Sequence, residues 1–290
     1  MNNRNDRNKS LQGVRILSLA LNLPGPGALM RCRDKGAECI KLEPLAPLGA
    51  TSADPMQIYS PHAYTVLHEG IRIVQADLKT EEGQDTLHHE LAQADVLITS
   101  FRRSALKKLG LEWAMLHQRY PRLGMVVIVG ASGERANEAG HDLTYQAEND
   151  LISGLDLPVT LYADMGGALL ATEAILQARL HQLEEGRGVC LEVALTDAAA
   201  YLALPRTWGL TLPDSPTGGA HAGYGVYACQ DGRVALAALE PHFVQALSRV
   251  MGVAVEAFNR STIAQFLHTK TCNELNALAH QWDLPLHTMQ

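Results

Sequence analysis

With 290 residues, 47% of them hydrophobic and 19% charged, the chain has enough apolar material for a full core, and this excludes an intrinsically disordered protein. A net charge of -7 argues against a dedicated nucleic-acid binder, which would present a basic face. The polar leader MNNRNDRNKS lacks the apolar stretch of a signal peptide, and no later run approaches the roughly 20 apolar residues of a membrane span, so a cytoplasmic protein is expected.

Residues 1–10 read as a disordered leader. Residues 14–19 (VRILSL) form a short apolar run between Gly13 and Pro24-Gly25-Pro26-Gly27, which predicts a buried strand feeding a turn. A helix over 28–35, stopped by Gly36, and a strand over 38–42 complete a βαβ start and imply a parallel sheet. The turn is not G-x-G-x-x-G, so no nicotinamide or flavin site is read there. Residues 44–61 read as a long loop, and no Lys or Arg occurs from Pro44 through Ile71. Then come a strand over 72–78, a helix over 81–92 and a strand over 95–99 that ends at Ser100-Phe101-Arg102-Arg103. That phrase lies at the C-terminal end of a strand, where α/β proteins bind ligands.

The near-continuous apolar run 123–129 predicts a strand covered on both faces and delivers the chain to Gly130-Ala131-Ser132-Gly133. A helix over 168–183, a turn over 184–189, a strand over 190–194 and an alanine-rich helix after Asp197 follow. Residues 204–223, with Pro205, Pro213 and Pro216, read as a linker. Beyond it, 224–229 and 233–239 flank Gln230-Asp231-Gly232 as a hairpin, and 241–250 and 262–281 read as helices. The domains are thus a large α/β unit over 11–203, Rossmann-like with a parallel sheet, the linker 204–223, and a smaller α+β unit over 224–290. Cys32, Cys39, Cys190, Cys229 and Cys272 are scattered without C-x-x-C spacing, which suits reduced thiols and implies no zinc site.

The acid-base chemistry concentrates between Gly140 and Gly167. His141 opens that stretch and Asp164 closes it ahead of an apolar helix, so the two could face a substrate and move protons near neutral pH. Duller readings stand beside this one: Asp164 as a helix N-cap, His141 as a surface turn residue, and Lys107 and Lys108 as a solvated helix face. Glu240, just before Pro241, is not a preferred cap.

Gly140-His141-Asp142 followed by Ala163-Asp164-Met165-Gly166-Gly167 resembles the active-site segment of α-methylacyl-CoA racemases, in the family III CoA-transferase (CaiB/BaiF) superfamily. The resemblance runs in order from Leu11 to about Leu286 and includes Gly36-Ala37-Glu38-Cys39-Ile40-Lys41-Leu42-Glu43 and Ala237-Ala238-Leu239-Glu240-Pro241-His242-Phe243. It implies the fold of that family and an acyl-CoA substrate, with coenzyme A present as part of the thioester, no covalently bound cofactor and no metal. By the same resemblance, His141 and Asp164 transfer a proton at the α-carbon of a 2-methylacyl-CoA, and Glu240 pairs with the histidine. Backbone N–H groups around Gly166 and Gly167 serve the thioester oxygen, while Arg72, Ser100, Arg102 and Arg103 contact CoA. An interlocked homodimer with Glu240 supplied across the interface is also implied, as is a C-terminal return shortened relative to full-length members. Two alternatives remain open: a CoA transferase that carries CoA as an aspartyl thioester on Asp164, and a non-catalytic relative.

Overall fold

The computed structural model describes residues 9–290, so positions 1–8 of the expected leader lie outside the described residues. The chain divides into two compact units between Ala203 and Leu204. In chain order the first holds β1 (Arg15–Ser18), α1 (Pro24–Asp34), β2 (Glu38–Glu43), α2 (Pro55–Tyr59), α3 (Pro61–His68), β3 (Arg72–Gln75), α4 (Glu81–Leu91) and β4 (Val96–Thr99). It continues with α5 (Arg103–Lys108), α6 (Trp113–Arg119), β5 (Gly124–Val129), α7 (Asp142–Glu148), α8 (Tyr162–Glu185) and β6 (Cys190–Ala194), and α9 (Leu195–Thr207) leads out of it.

The six strands are parallel and ordered β3-β2-β1-β4-β5-β6, so the direction of winding reverses between β1 and β4. Ligands in such sheets bind beyond the carboxyl ends of the strands at that switch point. Alternate residues of each central strand feed two cores. Ile16, Ile98, Val126 and Ile128 face α1 and α8, whereas Leu17, Leu97, Met125 and Val127 face Leu87, Leu106 and Leu116 of the opposite helices. Burial on both faces explains why these strands read as apolar runs without alternation. Helix α8 buries small side chains, among them Ala163, Ala168, Ala171 and Ala178, and this lets α1 approach closely. A Cβ on Gly27 would stand 3.1 Å from the Ala168 methyl.

Several boundaries differ from the sequence reading, mostly where proline was read as turn punctuation. Helix α1 begins at Pro24 rather than at residue 28, because proline at a first helical position loses no needed hydrogen bond. The 44–61 loop contains α2, started by Asp54, whose carboxylate accepts the Met56 N–H at 2.9 Å. Helix α3 is started in the same way by Ser60, whose hydroxyl accepts the Ala63 N–H at 3.2 Å. Strand β3 stops at Gln75 rather than 78, since residues 76–80 turn into α4, which Thr80 caps on the Gly83 N–H at 3.1 Å. Residues 204–207, assigned to a linker, continue α9 through Pro205, whose cost is confined to one turn near the helix end.

The second unit contains β7 (Tyr224–Ala228), β8 (Arg233–Ala237), α10 (Pro241–Met251), α11 (Arg260–His268), α12 (Cys272–Trp282) and β9 (Leu286–Met289). Its antiparallel sheet has the order β7-β8-β9, the last strand being one the sequence did not announce. Val234, Leu236, Leu247, Ile263, Leu267 and Leu275 form its core. The helix expected over 262–281 is two helices. Thr271 and Glu274 form a capping box, with Glu274 N–H on Thr271 Oγ1 at 3.2 Å and Thr271 N–H on Glu274 Oε2 at 2.8 Å, and it restarts the chain as α12. Among the described residues no helix is long and apolar enough to cross a membrane.

Candidate active site

A cavity of about 520 Å³ opens beyond the carboxyl edge of the parallel sheet. Its walls come from the turn after β1 (Asn22, Pro24, Gly25), the segment after β4 (Ser100, Phe101, Arg102), the end of β5 (Ile128 to Gly130) and Leu195 after β6. The cavity therefore sits at the switch point between β1 and β4, and its volume suits a small-molecule ligand. His141, Asp142, Tyr145 and Asp164 all line it. A second, more open depression of about 760 Å³ is bounded by Lys79, Glu81 and Lys108 among others, without a histidine or a pair of carboxylates.

His141 is exposed and precedes α7, where its N–H donates to Thr144 Oγ1 at 3.1 Å. Tyr145 is buried one turn later, wedged between two glycines. A Cβ on Gly140 would lie within 2.8 Å of the phenol, and one on Gly130 would collide with the same group. Those two glycines thus leave the space that the Tyr145 ring fills. Asp142, next to the histidine, is buried; its Oδ1 accepts the Asp164 N–H at 3.0 Å, and its Oδ2 accepts from the Gln146 amide.

That single backbone bond ties α7 to the first turn of α8 and sets two carboxylates side by side. Burial foremost, and then the negative charge of Asp142, push Asp164 up from 3.8 to about 7. Among the described residues no Lys or Arg pairs with either carboxylate. Asp164 is consequently poised to exist both as acid and as base near neutral pH. Burial, and next the charge of Asp164, raise the Tyr145 hydroxyl, which stays a proton donor.

The rim of the cavity rests on a second buried centre. Lys41 of β2 is fully buried, donates to Asp54 and to His68 Nε2 at 3.0 Å, and lies 3.3 Å from Glu43. Because Nε2 accepts, the His68 proton is on Nδ1, which donates to the Tyr64 carbonyl at 2.7 Å. Burial first, then the Lys41 ammonium, holds the His68 pKa below its usual value. Asp54 Oδ1 in turn accepts from the N–H groups of Asn22 at 3.0 Å and Met56 at 2.9 Å, two residues of the cavity wall.

The structure thus brings together His141, Asp164, Ser100 and Arg102, and no carboxylate pairs with Arg102 among the described residues. It does not bring Arg72 there. Arg72 starts β3, at the opposite edge of the sheet from the cavity, and its guanidinium meets Glu90 at 2.7 Å. Arg103 turns aside to Glu192 at 2.8 Å. Gly166 and Gly167 need a correction of role. Helix α8 starts at Tyr162, so both glycines lie beyond the first four residues, whose N–H groups lack an acceptor within the helix. They serve packing instead. A Cβ on Gly166 would stand 3.3 Å from the Ala198 methyl, and one on Gly167 would collide with Leu195. The reading of Asp164 as an N-cap also fails, since Asp164 is the third residue of α8. Glu240, in the second unit, is exposed at the N-cap of α10 without a side-chain capping bond.

Sequence reasoning missed Asp142 and Tyr145. Asp142 stood in the quoted Gly-His-Asp phrase, but only the fold shows its carboxylate turned inward to α8. Tyr145 had no signal beyond the two distant glycines that accommodate it.

The profile of CoA-transferase family III matches residues 11–288. The chain is 31% identical over 264 residues to the α-methylacyl-CoA racemase of Mus musculus, covering 85% of this chain and 66% of that protein. It is 28% identical to the succinate–glutarate CoA-transferase of Agrobacterium fabrum, over 87% of this chain and 69% of the relative. Among solved structures, a CaiB/BaiF family protein from Brucella suis superposes with a TM-score of 0.79 at 25% identity, covering 98% of this chain and 85% of its own. The chain spans about two thirds of the length of the curated racemases it matches.

Proposed function

The chain belongs to CoA-transferase family III, and on that premise we propose that it acts on acyl-CoA thioesters, moving a proton at the α-carbon of a 2-methylacyl-CoA as a racemase or epimerase does. The observation that carries the reading is Asp164. It lines one cavity with His141, and its pKa of about 7 comes from burial and from the neighbouring Asp142. One of the two groups removes the α-proton, leaving an enolate of the thioester, and the other returns a proton to the opposite face. Arg102, with Ser100 beside it, supplies positive charge at the cavity for the phosphates of CoA. In the cytoplasmic homodimer that we infer by resemblance, the partner subunit's Glu240 orients His141.

A carboxylate that ionises near pH 7 also suits the transferase reading, in which ionised Asp164 attacks the thioester carbonyl and expels the CoA thiolate to leave a mixed anhydride; the thiolate then attacks the Asp164 side-chain carbonyl, giving the aspartyl-CoA thioester and freeing the first acid as its carboxylate. Proton NMR of a 2-methylacyl-CoA in D2O separates the two. We expect wild-type protein to wash out the α-proton, and His141→Ala and Asp164→Ala each to slow the exchange by about 10²- to 10⁴-fold. Absence of exchange by wild-type protein that binds CoA would sink the racemase reading. An aspartyl-CoA adduct trapped on Asp164 would then establish the transferase, and failure of both leaves a non-catalytic relative.

A further inference from the structure

The second unit holds a cluster that the acyl-CoA chemistry does not use. Cys229, just after β7, and Cys272, the first residue of α12, are both buried, with their sulfurs 3.6 Å apart. Asp231, exposed in the turn between β7 and β8, places its Oδ1 3.9 Å from the Cys229 sulfur. All three ligand atoms lie within 4.8 Å of one another. The spacing 229, 231, 272 contains no C-x-x-C phrase, so a metal site is not legible from cysteine spacing.

We propose that Cys229, Asp231 and Cys272 form a binding site for a thiophilic divalent cation of the zinc class, which fastens the β7–β8 turn to the start of α12. Geometry selects among thiophilic ions. Two sulfurs bound to a tetrahedral zinc stand roughly 3.8 Å apart, whereas a linear two-coordinate ion sets them about 4.6 Å apart. The observed 3.6 Å fits the tetrahedral edge. A disulfide would need the sulfurs to close to about 2.05 Å. Two thiolates and a carboxylate are a suitable donor set for zinc, and the fourth position is left for water.

The ligands are also held in place by the fold. The Cys272 N–H donates to Asp231 Oδ1 at 2.7 Å, and the Gln230 N–H donates to the Lys270 carbonyl at 2.8 Å, so the turn and the helix start are already docked. Gly232 leaves the space the sulfur needs, since a Cβ there would lie 3.0 Å from Cys272 Sγ. Binding balances as one divalent cation taken up and two thiol protons released, with no change of oxidation state.

The test uses the whole chain, kept reduced with a phosphine, stripped by a chelator, and titrated with Co²⁺ and then Zn²⁺. We expect a sulfur-to-cobalt charge-transfer band that saturates at one equivalent and is displaced by zinc, together with a rise in Tm on zinc addition. Cys229→Ser and Cys272→Ser should abolish the band and weaken zinc binding by more than about 100-fold. Asp231→Asn, at an exposed turn that leaves the core intact, should weaken it by about tenfold or more. A wild-type protein without the band, a band that survives both serine variants, or zinc affinity unchanged in Asp231→Asn overturns the site. So does a reduced protein that takes no metal and is converted to a Cys229–Cys272 disulfide by glutathione disulfide.

Discussion

Two groups of carboxylates, all buried except half-buried Asp164, lie on the same side of one sheet, and they are treated in opposite ways. Around Lys41, two acids, Glu43 and Asp54, share a buried ammonium, and His68 and Tyr64 take up the remaining hydrogen-bonding positions. Around Asp164, the neighbouring Asp142 accepts only the Asp164 backbone N–H and the Gln146 amide, and no cation pairs with either acid among the described residues. Taking charge out of water is costly unless it is paired. The first group meets that cost with a counter-ion and becomes a structural centre. The second meets it by holding a proton, which is the property that acid-base chemistry needs.

The difference can be broken in order of size. Removing the cation from the paired centre has the largest effect: Lys41→Met leaves Glu43 and Asp54 buried together and should cost about 3–5 kcal/mol in denaturant unfolding. A loss below about 1 kcal/mol would mean that the ammonium is not what holds that centre. Removing the charge from the unpaired centre should do the reverse. With a folded pKa of about 7 against 3.8, Asp164 contributes stability that is fully present below pH 4 and lost as pH rises through 7. Asp164→Asn is therefore expected to be more stable than wild type at pH 8, by about 2 kcal/mol, with the gain gone near pH 4. Equal stability at both pH values would show that Asp164 is not buried uncompensated.

His68 runs the other way. Its folded pKa is depressed, so its contribution is present above 6.5 and is lost as pH falls below that value. The smallest effects distinguish two arginines by the same rule. Arg102→Ala should weaken CoA binding by about tenfold or more, because among the described residues no carboxylate already occupies its guanidinium. Arg72→Gln should leave CoA affinity unchanged and cost about 0–1 kcal/mol, since half-exposed Arg72 is engaged by Glu90. Calorimetric titration of CoA into both variants measures the contrast, and equal losses would erase it.

What the sequence made legible follows from how strongly each feature marks its own residues. Strands β1, β4 and β5 are short apolar runs because both sheet faces are covered, and these, with β2 and β6, were readable within a residue or two. Helix α8 was readable only from residue 168. Its first turn, from Tyr162, has neither a capping side chain nor an apolar stripe, because α1 and α9 press on small residues there. The starts of α1, α2 and α3 hide behind prolines that fit a turn as well as a first helical position. His141 and Asp164 were legible as chemistry, but their shared cavity depends on Asp142 reaching across 22 positions to the Asp164 N–H, a contact with no local signature. Arg72 was misjudged because a positive charge looks available in sequence, and only the fold reveals Glu90 beside it.

Asp54 links parts of the chain that are far apart in sequence. One of its oxygens receives both the Asn22 and the Met56 amide hydrogens, so the turn after β1 and the helix α2 hang from a single atom, while Lys41 fastens the other oxygen of the same carboxylate. Both amide hydrogens are bonded to that one oxygen, Met56 in a buried and Asn22 in a half-buried position. The two hydrogens should therefore exchange with deuterium at a common rate, set by one shared opening. The mouth of the cavity on that side is then a single moving part, and a ligand that displaces either segment must release both.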